Sequence, residues 1–240
     1  VDVDLATMNK WKGKIFHVGA SIKKHELDVS NYVDYTGASG TAKVGLVGIS
    51  QSTIGKGRSF FSATRNTGVT ETDLSSYGLE LALANGPFKV QAEYANANFD
   101  SNLDDQDIKA YYLEAGWLVT GENYADSYKS KSMGGKFDRI KPNSNFNPEN
   151  GKGIGAWEVA LGVSKFDASD VTEASAGYDI TAAMANEAKS WRAGLKWILD
   201  PNTRMMLSYV DTDFDVSGNT STYTGINDEQ AINFRAQFDF

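Results

Sequence analysis

The sequence predicts an all-β fold, an antiparallel transmembrane β-barrel, and three observations carry that prediction. Apolar and polar residues alternate with a period of two in eight separate segments, as in strands with one face in an apolar medium and the other in water. From the first apolar residue to the last in each segment, the apolar face carries no charged residue and has Trp, Tyr or Phe near its ends. The opposite face is dotted with glycine and alanine. A soluble sandwich also has half-buried strands, but its core prefers Val, Ile and Leu and its outer face is rich in charge and threonine. Aromatic girdles around a polar interior are the pattern of a barrel in lipid. Hydrocarbon offers no partner to a peptide group, so such a sheet closes on itself.

Taken in order, KIFHVGASIK (14–23) turns Phe16, Val18, Ala20 and Ile22 to one face. YGLELALANGPFKVQAEY (77–94) reads as a hairpin: Tyr77, Leu79, Leu81 and Leu83 lead into the turn Asn85-Gly86-Pro87, and Phe88, Val90, Ala92 and Tyr94 lead out. KAYYLEAGWLV (109–119) presents Tyr111, Leu113, Ala115, Trp117 and Val119 against Tyr112, Glu114, Gly116 and Leu118. GAWEVALGVS (155–164) sets Trp157, Val159, Leu161 and Val163 against Glu158, Ala160, Gly162 and Ser164. WRAGLKWILD (191–200) sets Trp191, Ala193, Leu195, Trp197 and Leu199 against Arg192, Gly194, Lys196 and Ile198, and RMMLSY (204–209) follows with Met205, Leu207 and Tyr209. The final AINFRAQFDF (231–240) alternates Ile232, Phe234, Ala236, Phe238 and Phe240 with Asn233, Arg235, Gln237 and Asp239. Weaker strand candidates lie near 43–50 and 58–65.

The links 85–87 and 200–202 are short, whereas 24–42, 95–108, 166–189 and 212–230 are long and polar. Outer-membrane barrels have short periplasmic turns and long extracellular loops. With the C-terminus in the periplasm, 231–240 runs down, 203–211 up, 190–199 down and 155–165 up, and the short links fall inside. Residues 120–154 resist this rule: they lie on the periplasmic side yet are long, and hold either one more hairpin or an unusual inner segment.

Composition narrows the chemistry. The 240 residues carry 31 acidic and 23 basic side chains, a net charge of −8, which argues against nucleic-acid binding. With no cysteine, thiolate zinc sites, cysteine nucleophiles and disulfides are excluded. His17 and His25 are the two histidines, too few for a multi-histidine metal centre. No metal site or cofactor is expected: Asp211, Asp213 and Asp215 have the spacing of a calcium loop, but Val216 and Thr222 stand where glycine and glutamate are required. Asp104, Asp105 and Asp107 read as a solvated loop. GKGIG (151–155) and GKGRS (55–59) lack phosphate-loop spacing. His17 lies on the polar face without an identifiable catalytic partner, so a solvated pore histidine is the expectation, and no enzymatic step is expected. The chain begins at Val1 without a leader, as a processed chain or a fragment would.

The functional candidates are therefore the polar-face charges, read as pore-lining: Lys23, Lys89, Arg192, Lys196, Arg204 and Arg235 against Glu80, Glu93, Glu114, Glu158 and Asp239, with His17 beside them. Along the chain the glutamates fall between 80 and 158 and most cations between 190 and 235, which suggests oppositely charged walls. Small residues at Gly116, Ala160, Gly162 and Gly194 favour an open lumen.

Several stretches resemble the family of phosphate-selective porins O and P: SSYGLELALANGPFKVQAEY (75–94), YYLEAGWLVTGE (111–122), FDRIKP (137–142), GAWEVALGVSKFD (155–167), WRAGLKWILDPNTRMMLSYV (191–210) and the terminal FRAQFDF. KIFHVGASI (15–23) fits an earlier strand. The resemblance covers nearly the whole chain and is most specific at GAWEVA and LKWILDPNTR. It implies an outer-membrane porin of Gram-negative bacteria, a homotrimer of sixteen-stranded barrels with an inward-folded constriction loop, lying among outer-membrane lipid and lipopolysaccharide. Family members are longer and this sequence resembles their later part. Residues 1–240 are thus expected to form a single barrel domain of about ten to twelve strands, or part of a sixteen-stranded one. Phe234, Phe238 and Phe240 resemble the signal recognised by the barrel assembly machinery. The family's phosphate selectivity rests on lumen cations including an arginine ladder; here Lys56 and Arg58 alternate, but Phe60, Ser62 and Thr64 follow. The expectation is a porin passing small hydrophilic solutes or ions with weak selectivity. The alternatives are a phosphate- or anion-selective porin and a plugged structural or adhesive barrel.

Overall fold

A computed structural model describes residues 2–4, 11–28, 48–55, 57, 59–65, 69, 71–129, 135–172, 177–180, 184–217 and 227–239. In chain order the strands are β1 (Asp2–Asp4), β2 (Lys14–Asp28), β3 (Gly48–Ser52), β4 (Ser59–Arg65), β5 (Glu71–Asn85), β6 (Phe88–Ser101), β7 (Asp105–Leu118), β8 (Tyr128–Lys129), β9 (Lys136–Phe137), β10 (Ala156–Asp167), β11 (Tyr178–Ile180), β12 (Glu187–Asp200), β13 (Thr203–Asp215) and β14 (Asp228–Phe238). Nine of them form one antiparallel sheet in the order β1-β2-β5-β6-β7-β10-β12-β13-β14. The sheet is a meander with three excursions, after β2, after β7 and after β10. Among the described residues no ladder joins β14 to β1.

All eight predicted alternating segments are strands of this sheet, and the ladder aligns their apolar faces. Phe16, Leu83, Val90, Ala115, Leu161, Ala193, Tyr209 and Ile232 occupy one continuous cross-strand row. Leu161 is 59% exposed and Leu195, Leu207 and Phe234 are exposed beside it, a continuous apolar band that water would not tolerate and lipid does. Two aromatic belts bound it. Phe88–Trp117 and Trp157–Trp197 stack at 6.1 and 5.2 Å near the short turns. Tyr77–Tyr94 and Trp191–Tyr209 pack at 5.8 and 5.2 Å toward the other end.

The tight turn after β5 uses Gly86 at φ 57°, the left-handed conformation that an Asn-Gly hairpin requires. At the other end, β6 and β7 run on well past the apolar band. The expected long link 95–108 is therefore mostly strand, with a turn at 102–104. Polar pairs hold this extension: Asn98 Nδ2 donates to Asp105 at 2.6 Å and to Asp107 at 3.2 Å. Asp211, Asp213 and Asp215 likewise lie within β13.

The weaker strand candidates differ from expectation. Near 43–50 and 58–65, β3 and β4 do not join the large sheet; they form a hairpin that pairs through β4 with β11. Phe61 and Ala63 are buried against Phe99, Ile108, Val171 and Ile180, so the hairpin lies on the polar face of the large sheet, at its loop end. Phe61 and Ala63 are buried in this cluster, and Phe60 packs on Phe166 and Phe214 of the large sheet, which explains the assignment: the aromatic residues of this strand pack on protein, whereas those of a lipid-spanning strand face lipid. Residues 41–47, Lys56 and Arg58 lie outside the described residues, as does Phe240.

The described residues of 120–154, which are 120–129 and 135–154, form an inner segment and no spanning hairpin. A 3-10 turn (Tyr124–Ser127) and the two-residue strands β8 and β9 fold back over the polar face at the short-turn end. Tyr124, 1% exposed, packs on Ile15, Ala84, Leu118, Ile140, Ala156 and Ile198. Backbone bonds hold the segment to the turns: Tyr124 N–H to Gly86 O at 3.0 Å and Phe146 N–H to Leu199 O at 2.8 Å. Gly155, at φ 67°, leads it into β10, and a Cβ there would collide with the carbonyl oxygen of Ile198.

The face assignment has a direct test. Arginine at Leu161, Leu195 or Leu207 faces the apolar band and is expected to cost roughly 2–4 kcal/mol near the bilayer midplane. Arginine at Ser164 faces the interior and is expected to cost far less. Folding stability in lipid vesicles compares the two sets.

Candidate functional site

The polar face is built in levels, because the ladder places one residue from each strand in a row. Nearest the short turns are Ala156, Ile198, Arg204 and Gln237, and then Leu118, Glu158, Lys196, Met206 and Arg235. Lys89, Gly116, Ala160 and Gly194 share the next level, and Gln91, Glu114, Gly162 and Arg192 the one after. Glu80, Glu93, Tyr112, Ser164, Ser190 and Thr212 form the level closer to the loops.

Ion pairs zigzag between these levels. Arg192 donates to Glu114 at 2.6 Å. Lys89 lies 3.3 Å from Glu114 and 3.5 Å from Glu158. Lys196 reaches the other oxygen of Glu158, whose residue is 3% exposed. A buried carboxylate is expensive unless paired and hydrogen-bonded, and two lysines flank this one. Lys89 is further enclosed by the ring faces of Tyr124 and Phe137, at 5.3 and 5.5 Å, a cation–π contact supplied by the inner segment.

Glycine makes these reaches possible. Gly162 stands directly between Glu114 and Arg192 in the ladder, and a Cβ there would lie 2.8 Å from Arg192 Nε. The bare backbone lets Arg192 cross β10 to a carboxylate two strands away. Gly116 does the same for Lys89, whose Cε would be 2.7 Å from an added Cβ, and Tyr124 Oη fills the same place. Two of the four small residues that suggest an open lumen, Gly116 and Gly162, are thus covered by long charged neighbours, whereas no side chain covers Gly194. Gly19 is covered by Glu80 in the same manner.

His17 departs from the solvated histidine expected. It is 3% exposed, its Nε2 lies 2.9 Å from Glu80 Oε1, and its ring meets Tyr128 of the inner segment edge-on at 6.0 Å. Its carboxylate partner is 63 positions away, so spacing could not reveal it. Glu93 accepts from Tyr112 Oη at 2.7 Å. Lys23 and Arg235 are exposed on their strands. Arg204 Nε donates to Gln237 at 3.3 Å. Asp239, just beyond β14, is held below the usual carboxylate range by the hydrogen bond from Gln237, then by Arg139, Arg204 and Arg235. Arg139 sits 3.5 Å from it and ties the inner segment to β14. Phe234 and Phe238 are exposed on the apolar face.

The spanning strands keep chain order in the sheet, so Glu80, Glu93, Glu114 and Glu158 stand on β5, β6, β7 and β10 and Arg192, Lys196, Arg204 and Arg235 on β12, β13 and β14, while Arg192 and Lys196 reach across to bridge the two groups. A second separation runs along the lumen. Toward the short turns five cations (Lys89, Arg192, Lys196, Arg204, Arg235) face three carboxylates (Glu114, Glu158, Asp239); the level nearer the loops carries Glu80 and Glu93. The residues that sequence reasoning missed are Tyr112, Tyr124, Tyr128 and Phe137. Leu118 and Ile198, apolar residues on a polar face, were the signal that something apolar packs inside.

An antiparallel sheet with a lipid-type band outside and a paired charge network within defines the class: a membrane-spanning β-barrel protein with a polar lumen. The family described as phosphate-selective porin O and P matches residues 6–240, and the chain belongs to it. Members of this family are channels, not enzymes, and the chain is an outer-membrane protein. It is similar to Porin O of Pseudomonas aeruginosa, 28% identical over 239 residues that cover 95% of this chain and 50% of that protein. The chain therefore spans about half the length of this curated relative.

Coupling across Gly162 can be measured. Arg192→Gln, Glu114→Gln and the double variant, compared by unfolding in vesicles, should give a coupling energy of about 1–2 kcal/mol, as for groups in one ion-pair network.

Proposed function

We propose that residues 1–240 contribute to one porin barrel through which small hydrophilic solutes and ions diffuse, with weak selectivity and a mild preference for anions. The observation that carries this reading is the network Arg192–Glu114–Lys89–Glu158–Lys196. Most of its charge is neutralised internally, so no single-sign ring faces the solute, and such rings are what select ions strongly. The excess of cations near the short turns supplies the anion preference, and Glu80 and Glu93 oppose it nearer the loops. A second reading, phosphate selectivity as in the family's description, is favoured by that same basic region. Homotrimer formation, contact with lipid and lipopolysaccharide, and delivery by the barrel assembly machinery through the aromatic face of β14 belong to the proposal as well.

Reversal potentials of the full-length protein in planar bilayers under a salt gradient test it. Arg192→Gln, Lys196→Gln and Arg204→Gln together should shift preference toward cations; Glu93→Gln, Glu114→Gln and Glu158→Gln should shift it toward anions. Selectivity should fade near 1 M salt, where the screening length is about 3 Å. Block of chloride current by micromolar phosphate would favour the second reading, and absence of any conductance would favour a plugged structural barrel.

A further inference from the structure

Between the β3–β4 hairpin and the sheet lies a cavity of about 770 Å³, within the roughly 300–1,000 Å³ range of small-molecule sites. Its chemistry differs from that of the basic region beneath it. We propose that this cavity binds neutral, hydroxyl-rich solutes of the size of a mono- or disaccharide, a substrate class that rests on the pore reading above.

Three features converge on it. First, the level Glu80, Glu93, Tyr112, Ser164, Ser190, Thr212 places an oxygen-bearing side chain on six successive strands of the sheet. Ser190 and Thr212 hydroxyls sit 2.8 Å apart. Glu93 accepts from Tyr112, and Glu80 lies against His17; each carboxylate keeps lone pairs for further donors. Second, the next level toward the loops sets the small residues Gly78, Ala95, Ala110 and Ala188 beside Phe166 and Phe214, and the run of three on β5, β6 and β7 leaves room for a ring above the oxygen row. Third, Phe60 of the hairpin and Phe166 of β10, packed edge-to-face at 5.4 Å, border that room. They offer apolar surface to the C–H face of a sugar.

The other small-solute classes fit less well. An anion would meet Glu80 and Glu93, while the cations lining the cavity are already engaged: Arg192 by Glu114 at 2.6 Å, Lys165 by Asp167 at 2.6 Å and Glu187 at 3.2 Å. A cation would meet two carboxylates and the faces of the phenylalanine rings, but it leaves the hydroxyl hydrogens of Ser164 and of the serine–threonine pair unused. A polyol uses all of them. Its hydroxyls donate to the carboxylates and accept from Ser164 and from the one hydrogen that the Ser190–Thr212 pair does not use internally, and its apolar face meets the rings.

The test titrates ion current through the full-length protein in planar bilayers with glucose and maltose, using a polyethylene glycol of matching size as the steric control. The sugars should reduce current saturably, and the polymer only in proportion to its concentration. In Glu80→Gln/Glu93→Gln the half-blocking sugar concentration should rise roughly tenfold, as loss of hydrogen bonds to charged acceptors implies, and Ser190→Ala should move it in the same direction. Equal effects of sugar and polymer, or indifference to both variants, would overturn the sugar site while leaving conductance, and with it the pore, intact. Stronger saturable block by spermidine than by maltose would overturn it in favour of a cation site. Absence of current would count against the pore itself. Calorimetric titration of maltose into the folded protein would then decide the site: saturable heat supports it and none refutes it.

Discussion

A peptide group in hydrocarbon has no partner except another peptide group. The unbroken ladders from β2 through β14 answer that constraint, and in doing so they fix the register on which every other feature depends. A slip of one residue in β10 would exchange its faces, sending Glu158 into lipid and Leu161 into water. Charges on the lipid face cost roughly 2–4 kcal/mol each at mid-depth, so the apolar band and the charge network enforce the same alignment from opposite sides of the sheet.

Register also decides which charges meet. Arg192, Glu114 and Lys89 are tens of residues apart, yet the ladder brings them to adjoining levels with glycine at the crossings. Replacing Gly162 or Gly116 by a larger residue would block a path rather than remove a contact. The inner segment adds what the sheet cannot: ring faces for Lys89, a cover over His17, and an apolar cluster around Tyr124 that closes the polar face at the short-turn end. The β3–β4 hairpin performs the corresponding task near the loops, where Thr53 Oγ1 donates to Glu229 of β14 at 2.6 Å.

The spanning strands were legible in the sequence because alternation is local: Leu161 and Gly162 declare opposite faces without reference to any partner. The polar face was legible in the same way, and so was membership of the charged residues in it. Partner identities were not, since Arg192 and Glu114 meet only through inter-strand register. The inward segments were hidden for a related reason. Tyr124 and Phe137 lie in stretches without periodicity, and the adjacent Phe60 and Phe61 both pack on Phe166, so neither pattern resembles the alternation of a half-buried strand. Leu118 and Ile198, apolar on the polar face, were the local trace of the inner cluster.

Alternate residues of the same strand face water inside and lipid outside. The chain has no cysteine, so single cysteines can report this without background. In vesicle-reconstituted protein, Ser208→Cys and Ser164→Cys should react with a charged, membrane-impermeant thiosulfonate, whereas Leu207→Cys and Leu161→Cys should react only with a lipid-soluble maleimide. Equal reaction of neighbouring positions 207 and 208 with the charged reagent, or the reverse pattern, would contradict it.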